Sequence, residues 1–291
     1  MEIDDVRRIR RFNRAVTSAV GALDASFLGR GRPLGSARVI NAIGQGHADV
    51  ASLREYLGLE TSLMSRLLRG LEDEGLVETV PSAHDARCRV AQLTKTGKAE
   101  YRAYERLSNA QATAMLAGHT RPGDVLAAMD LIASALGRER IAVEEVDPRS
   151  DAARHCLDAY YAELAQRFEQ GFDVARSRNP SPGQMMRPHG AFLLALSDGL
   201  PIGCVGLKGA GERIAEIKRL WIAPSARGLG LSRRLMTQAE DIARELSFTT
   251  LRLDTHRSLH EARQLYLKSG WKEIDRFNDD PYADFFFEKK L

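Results

Sequence analysis

Two adjacent stretches, Ala215-Glu-Ile-Lys-Arg-Leu-Trp-Ile-Ala-Pro224 and Arg227-Gly-Leu-Gly-Leu-Ser232, decide how this chain is read. The first is rich in β-branched and apolar residues from Ile214 to Ile222 and predicts a strand closed by Pro224. The second is a glycine-rich turn, and a helix is predicted from there to about Leu246. A turn of this kind exposes successive backbone N–H groups at a helix N-terminus, where unpaired donors and the helix dipole favour an anion, typically a phosphate. Glycine lets a ligand approach the backbone without a Cβ in between. Taken alone, the glycine pair supports two readings equally, a phosphate cradle or an ordinary strand-to-helix turn.

Outward from this point the pattern alternates strand and helix. Strands are predicted at 141–146, 191–196, 202–207, 250–253, 271–277 and 285–288, and helices at 152–168 and 259–269. Ser197-Asp-Gly199 between two apolar runs is a hairpin signal. Arg138 to Arg140 make a short polar joint, and before it the character changes. Residues 5–29 predict a helix stopped by Gly29, Gly31 and Pro33, its first half crowded with arginines that read as a solvated face. Three short helical patterns follow between Ser36 and Gly75, separated at 44–46 and 58–60. The last two are joined by a tight glycine-containing turn, a helix-turn-helix arrangement. Two β-rich runs, 76–80 and 90–93, flank a polar turn and predict a hairpin wing. Thr94 caps a long helix to about Ala117, and Pro122 opens another that ends at Gly137.

The fold class is therefore α+β in two domains. A mainly helical winged helix-turn-helix domain covers residues 1–138, and a mixed, central-sheet α/β domain covers 139–291. The 291 residues suffice for two separate cores, and 44% hydrophobic with 28% charged residues is a globular composition. No apolar run approaches the roughly 18 residues needed to cross a bilayer, and the N-terminus lacks a secretory pattern. Cys88, Cys156 and Cys204 form no metal-ligand spacing or paired framework, so no metal and a reducing cytosol are expected. A net charge of +3 says nothing of partners, so any case for DNA rests on where arginines sit.

The first domain resembles the MarR family of transcriptional regulators. Ser65-Arg66-Leu-Leu-Arg69, Leu71-Glu-Asp-Glu-Gly-Leu-Val77, Asp85-Ala-Arg87 and Leu93-Thr-Lys-Thr-Gly97 carry the resemblance, in order. It implies that Ser62, Ser65, Arg66 and Arg69 face the major groove of double-stranded DNA. It also implies that Arg87 enters the minor groove from the wing, oriented by Asp85. The other readings are an Arg66 pair with Glu72 or Asp73, and an Asp85 that only closes a turn. The resemblance further implies a homodimer through helices at both ends of the domain, and the surplus apolar helix surface at 6–27 and 99–136 agrees with that.

The second domain resembles the GNAT superfamily of N-acetyltransferases across the whole half-chain. Ala215–Pro224, Arg227–Gly230, Glu261-Ala-Arg-Gln-Leu-Tyr266 and Gly270-Trp271 match its successive motifs in order and spacing. Acetyl-CoA is the implied co-substrate. Its pyrophosphate would rest on the amides of Arg227, Gly228, Leu229, Gly230, Leu231 and Ser232, and its pantetheine arm beside Leu220, Trp221 and Ile222. Ser232 replaces the usual glycine or alanine, and Leu259 replaces a frequent asparagine. Acetyl transfer needs a neutral amine, a polarised thioester carbonyl and a proton for the departing thiolate.

By the same resemblance Glu216 is the general base and Tyr266 the acid. The competing structural readings are a Glu216 pair with Lys218 or Arg219, and a Tyr266 that packs on Trp271. Phe168, Gly171–Asp173, Asp254, His256 and Asn278–Tyr282 are implied to border the acceptor cleft, with Arg167 and Arg219 available for a carboxylate. The functional expectation is a DNA-binding regulator fused to an N-acetyltransferase for a small amine or amino acid. The alternatives are a regulator whose second domain only senses acetyl-CoA or amine, and a protein-lysine acetyltransferase.

Overall fold

The computed structural model describes residues 3–82 and 88–291. The chain divides into two compact units, Met1–Pro122 and Gly123–Leu291. The helix that opens at Pro122 is grouped with the second unit, whereas the sequence reading set the boundary at 138.

In the first unit α1 (Ile3–Ala19) is followed by α2 (Leu34–Gly44), α3 (Val50–Leu57), α4 (Thr61–Asp73), β1 (Val77–Pro81), β2 (Arg89–Leu93) and α5 (Lys95–Ala117). Asp49 caps α3 by accepting from the Ser52 amide, and Gly58 ends it in the left-handed conformation (φ 64°). One face of each short helix then meets in a common core: Val39 and Ile40, Leu53 and Leu57, Met64, Leu68 and Leu71. β1 and β2 pair antiparallel, Val77 opposite Leu93. Thr94 caps α5 through the Gly97 amide (3.0 Å) and donates its hydroxyl to the Gly75 carbonyl (2.7 Å). A Cβ on Gly97 would stand 1.9 Å from the Leu76 carbonyl oxygen, so only glycine lets the helix start this close to the strand.

The first helix ends at Ala19, not near Gly29. Gly21 turns left-handed (φ 68°) just after it, and Leu23 lies exposed. The apolar spacing beyond Ala19 therefore belongs to a loop, which delivers Phe27 to the core.

An ion cluster around the buried Glu100 ties this loop to α5. Arg30 grips Glu100 with two bonds (3.0 and 2.6 Å), and Arg32 reaches Glu100 (2.9 Å) and Glu74 (2.5 Å). The Arg30 hydrogen bonds, outweighing burial, hold the Glu100 carboxyl below the ordinary range. A carboxylate held low stabilises the fold above its unfolded pKa of about 4.3, and that stabilisation is lost as pH falls through the folded value. Glu100→Gln is expected to cost about 2 kcal/mol at neutral pH and to flatten the acid limb of stability against pH. Urea melts of both forms from pH 3 to 7 check this, and equal midpoints throughout would show that the cluster does not stabilise the fold.

The second unit contains α6 (Pro122–Leu136), β3 (Ala142–Glu145), α7 (Asp151–Arg167), β4 (Gly190–Ser197), β5 (Leu200–Gly209), β6 (Ile214–Ile222), α8 (Leu231–Glu245), β7 (Thr250–Thr255), α9 (His260–Lys268), β8 (Lys272–Ile274) and β9 (Phe285–Lys290). The sheet order is β3-β4-β5-β6-β7-β9-β8. Only β6 and β7 run parallel among these neighbours.

Alternate residues of β4 explain its unbroken apolar run. Phe192 and Leu194 pack with Ala153 and Cys156 of α7, whereas Leu193 and Ala195 join the cluster that holds Leu235, Met236 and Ala239 of α8. Asp198 (φ 52°) and Gly199 (φ 82°) make the two-residue turn from β4 to β5. The strand predicted at 271–277 shrinks to Lys272–Ile274. Beyond it, side-chain turns replace the ladder: the Asp280 amide donates to Asn278 and the Tyr282 amide to Asp280. No described helix is long and apolar enough to cross a membrane.

Candidate functional site

The site begins where the sheet splits. β6 and β7 pair only at Ile214–Glu216 with Thr250–Arg252, then diverge. Beyond Glu216 the β6 backbone is left without a β7 neighbour. On its other side β6 carries a bulge: Arg219 and Leu220 together face Val205, between the pairs Gly206–Lys218 and Cys204–Trp221. Arg219 takes a left-handed conformation there (φ 58°), costly for a side chain with a Cβ. The bulge and the splay together open the sheet at its centre.

An outer cleft of about 410 Å³ lies against this opening. Leu220, Trp221, Ile222, Arg227, Gly228, Gly230, Leu231 and Ser232 line it, facing Leu259, Ala262 and Leu265 from the α9 side. Leu229 does not; its side chain packs on the sheet core. Gly228 and Gly230 both stand at φ 79°, and Gly230 is the residue that starts α8. The first N–H groups of α8 therefore point out of the helix end at the cleft. Glu163, which the sequence reading did not single out, knots the loop in place. Its Oε2 accepts from the Trp221 indole (3.0 Å) and pairs with Arg227 (2.5 Å). Arg227 Nε also donates to the Ile222 carbonyl (3.1 Å). Arg167 is held by Glu261 (2.7 Å) and Glu163 (3.3 Å) and lines this cleft.

An inner cavity of about 80 Å³ continues from it and shares Tyr160, Leu164, Leu220, Leu259 and Ala262 with the cleft. Phe168, Phe172, Asp254, His256, Asp280 and Tyr282, all from the segments expected to border an acceptor, line its walls together with Arg219 and Tyr266. The aromatic rings brace one another, Phe172 lying 4.8 Å from Tyr282 and Phe168 3.8 Å from the His256 ring. His256 Nδ1 accepts from the Ser258 amide (3.1 Å), and burial lowers its pKa, so the ring is neutral at pH 7 and its Nδ1 is occupied. Tyr266 is buried, its pKa pushed up first by that burial and further by Tyr160 and Asp254. Burial likewise pushes Tyr160 up to about 12.

Glu216 does not line this cavity. Its carboxylate faces Lys218 (3.1 Å), a pairing that the sequence left open, and also Lys208 (3.7 Å). Lys218 in turn holds Asp254 (2.5 Å), which also accepts from Asn278 (2.7 Å). Asp254 is thus the carboxylate of this chain of charges that reaches the cavity wall.

On the first unit, Ser62, Ser65, Arg66 and Arg69 are all exposed. Their spacing puts them on one face of α4, opposite the buried Met64, Leu68 and Leu71. No described residue forms an ion pair with Arg66 or Arg69, so the alternative pairing of Arg66 with Glu72 or Asp73 is not made. Asp85 and Arg87 lie outside the described residues.

A mixed sheet split at its one parallel pair, with a glycine turn leading into a helix at the split, describes a class of acyl-group transferases. Residues 144–271 match the acetyltransferase (GNAT) family, and residues 30–87 match the MarR family. An uncharacterized N-acetyltransferase of Escherichia coli is 30% identical over 39% of this chain and 71% of its own length. An aminoalkylphosphonate N-acetyltransferase of Salmonella typhimurium is 26% identical over 47% of this chain and 93% of its own. For an uncharacterized N-acetyltransferase of Schizosaccharomyces pombe the identity is 32%, over 32% of this chain and 59% of that protein. The chain belongs to the GNAT acetyltransferase family and carries a MarR-family segment ahead of the acetyltransferase domain.

Proposed function

We propose that the chain is a DNA-binding transcriptional regulator joined to an acetyl-CoA-dependent N-acetyltransferase that acts on a small amine or amino acid. The observation that carries the enzymatic half is the continuity of the outer cleft with the inner cavity, where Asp254 and Tyr266 meet. The Salmonella relative is also named for a small amino compound.

The residues present suit acetyl-CoA. Two left-handed glycines and the bare N-terminus of α8 form a cradle for a pyrophosphate, and a side chain at Gly228 or Gly230 would strain the loop. The edge of β6 from Leu220 to Ile222 that has no β7 neighbour offers strand-like hydrogen bonds to an extended pantetheine arm. When bound, the cofactor supplies an activated acetyl thioester. An N–H of β6 in this stretch polarises the carbonyl, which favours the charge that builds on its oxygen.

Two carboxylates compete to take the proton of the attacking amine. Glu216 is the family-derived candidate; Lys218 pairs with both carboxylates, but Asp254 is on the wall and Glu216 lies behind it. Asp254 therefore receives the proton as the C–N bond forms, with Glu216 holding Lys218 in place. Tyr266 stays protonated through the working pH range and donates to the sulfur as the C–S bond breaks.

A panel of amines assayed by CoA release tests this, with Asp254→Asn beside Glu216→Gln. Asp254→Asn is expected to lower kcat/KM about 10²- to 10⁴-fold, and Glu216→Gln to cost less. The reverse order moves the base to Glu216. Acetyl-CoA binding without CoA release on any amine would leave a sensor in place of an enzyme.

The DNA-binding half rests on the exposed Ser62, Ser65, Arg66 and Arg69 face, to which the sequence adds Asp85 and Arg87. Val6, Ile9, Phe12 and Val16 form an exposed apolar stripe on α1, and Leu126, Met129 and Leu131 are exposed on α6. Apolar helix faces of this kind suit a homodimer interface.

A further inference from the structure

We infer that the acceptor carries an anionic group of its own, a carboxylate or a phosphonate, and that Arg219 binds it in the inner cavity. This deepens the transferase reading and rests on it.

Arg219 is only 8% exposed, yet no described carboxylate pairs with it. Its Nε donates to the Tyr161 hydroxyl (3.1 Å) and its Nη2 to the Asn179 side-chain carbonyl, both neutral acceptors. Its guanidinium carbon stands 5.3 Å from the centre of the Tyr161 ring and 5.8 Å from that of Tyr160. These contacts orient the cation without cancelling its charge.

The other cations that line the cleft and the cavity are treated differently. Lys218, the other cation on the cavity wall, is clamped between Glu216 and Asp254, Arg227 pairs with Glu163, and Arg167 pairs with Glu163 and Glu261. His256 is neutral. Asp280, the second acid on the wall, is satisfied by the backbone amides of Arg178 and Tyr282. A buried guanidinium without an acid is costly unless a ligand supplies the anion. The left-handed backbone at Arg219 is a further cost, borne at the residue that places this side chain on the wall.

The positions of the two poles limit the acceptor. Arg219 lies on β6 and Asp254 on β7, the two strands that part at the site, and both face a cavity of about 80 Å³. An amine directed at Asp254 and an anion at Arg219 describe a short aminocarboxylic or aminophosphonic acid. A protein lysine carries no such anion.

The test compares matched acceptors by CoA release: 3-aminopropanoate and 2-aminoethylphosphonate against propylamine, and alanine against its amide. In the native protein the acid of each pair is expected to have the higher kcat/KM, by roughly 10- to 100-fold. Arg219→Gln is expected to collapse that ratio mainly through KM, and Arg219→Lys to restore part of it. The carboxylate and phosphonate arms show which anion is taken. Calorimetric titration of the same acids into the CoA-bound protein gives a readout without turnover.

Equal kcat/KM for acids and neutral analogues in the native protein overturns this inference and leaves the transferase intact, whatever the variants do. The absence of turnover with every acceptor, while the acids still bind the native protein more tightly than Arg219→Gln, overturns the transferase and upholds the anion site. No binding and no turnover of either acid overturns the inference.

Discussion

Tyr266→Phe is expected to lower kcat about 10²- to 10³-fold while the KM for acetyl-CoA stays within about threefold. The substitution keeps the ring, and with it the packing against Trp271 (6.1 Å) and Phe287 (5.6 Å), so the fold has little reason to change. What it removes is a hydroxyl on the cavity wall that no described residue engages. Burial raises the Tyr266 pKa above the ordinary value of about 10, so the group keeps its proton at every pH where the enzyme works. In the proposed mechanism it therefore serves as a donor to the sulfur, and its own titration is not expected to shape the alkaline limb of the rate profile near pH 10. Single-turnover rates of both forms from pH 6 to 10 provide the check. An unchanged rate for Tyr266→Phe would return the residue to the purely structural role of packing on Trp271.

Replacing Arg66 and Arg69 together by alanine is expected to weaken DNA binding about 10²- to 10⁴-fold at fixed salt. Both lie on the exposed face of α4, and neither pairs with a described acid, so both forks are free to meet phosphate or base edges. For every phosphate left without its arginine, the slope of log affinity against log salt should also fall by about one. Ser62→Ala and Ser65→Ala should cost less, since a hydroxyl gives one neutral hydrogen bond. Fluorescence anisotropy with the upstream region of the chain's own gene, at several salt concentrations, measures all of these. Affinity and slope equal to those of the native protein would remove α4 from the interface.

Much of this was legible from the sequence because it is locally encoded. The Thr94 cap, the Asp198-Gly199 turn and the β6–glycine–α8 junction each depend on a few neighbouring residues, and each lies where the spacing predicts. The errors have a common form. Past Ala19 and past Ile274 the apolar pattern continues, but a left-handed glycine and paired side-chain turns end the elements. Periodicity counts apolar residues without distinguishing a helix face from a loop that anchors Phe27.

By itself the sequence determined the two modules, the order of their elements and the glycine turn at the sheet split, because periodicity, caps and turn residues act over a few positions. Only the tertiary structure decided which charges meet. The short β6–β7 register brings Lys218 beside Asp254, far along the chain, so that Glu216 is paired behind the wall and Asp254 is presented on it. The bulge opposite Val205 likewise made Arg219, which the sequence offered either to a carboxylate ligand or to Glu216, a buried cation that pairs with no described acid. Strand register and a bulge are cooperative properties of the whole sheet, and the spacing of residues along one strand does not specify them.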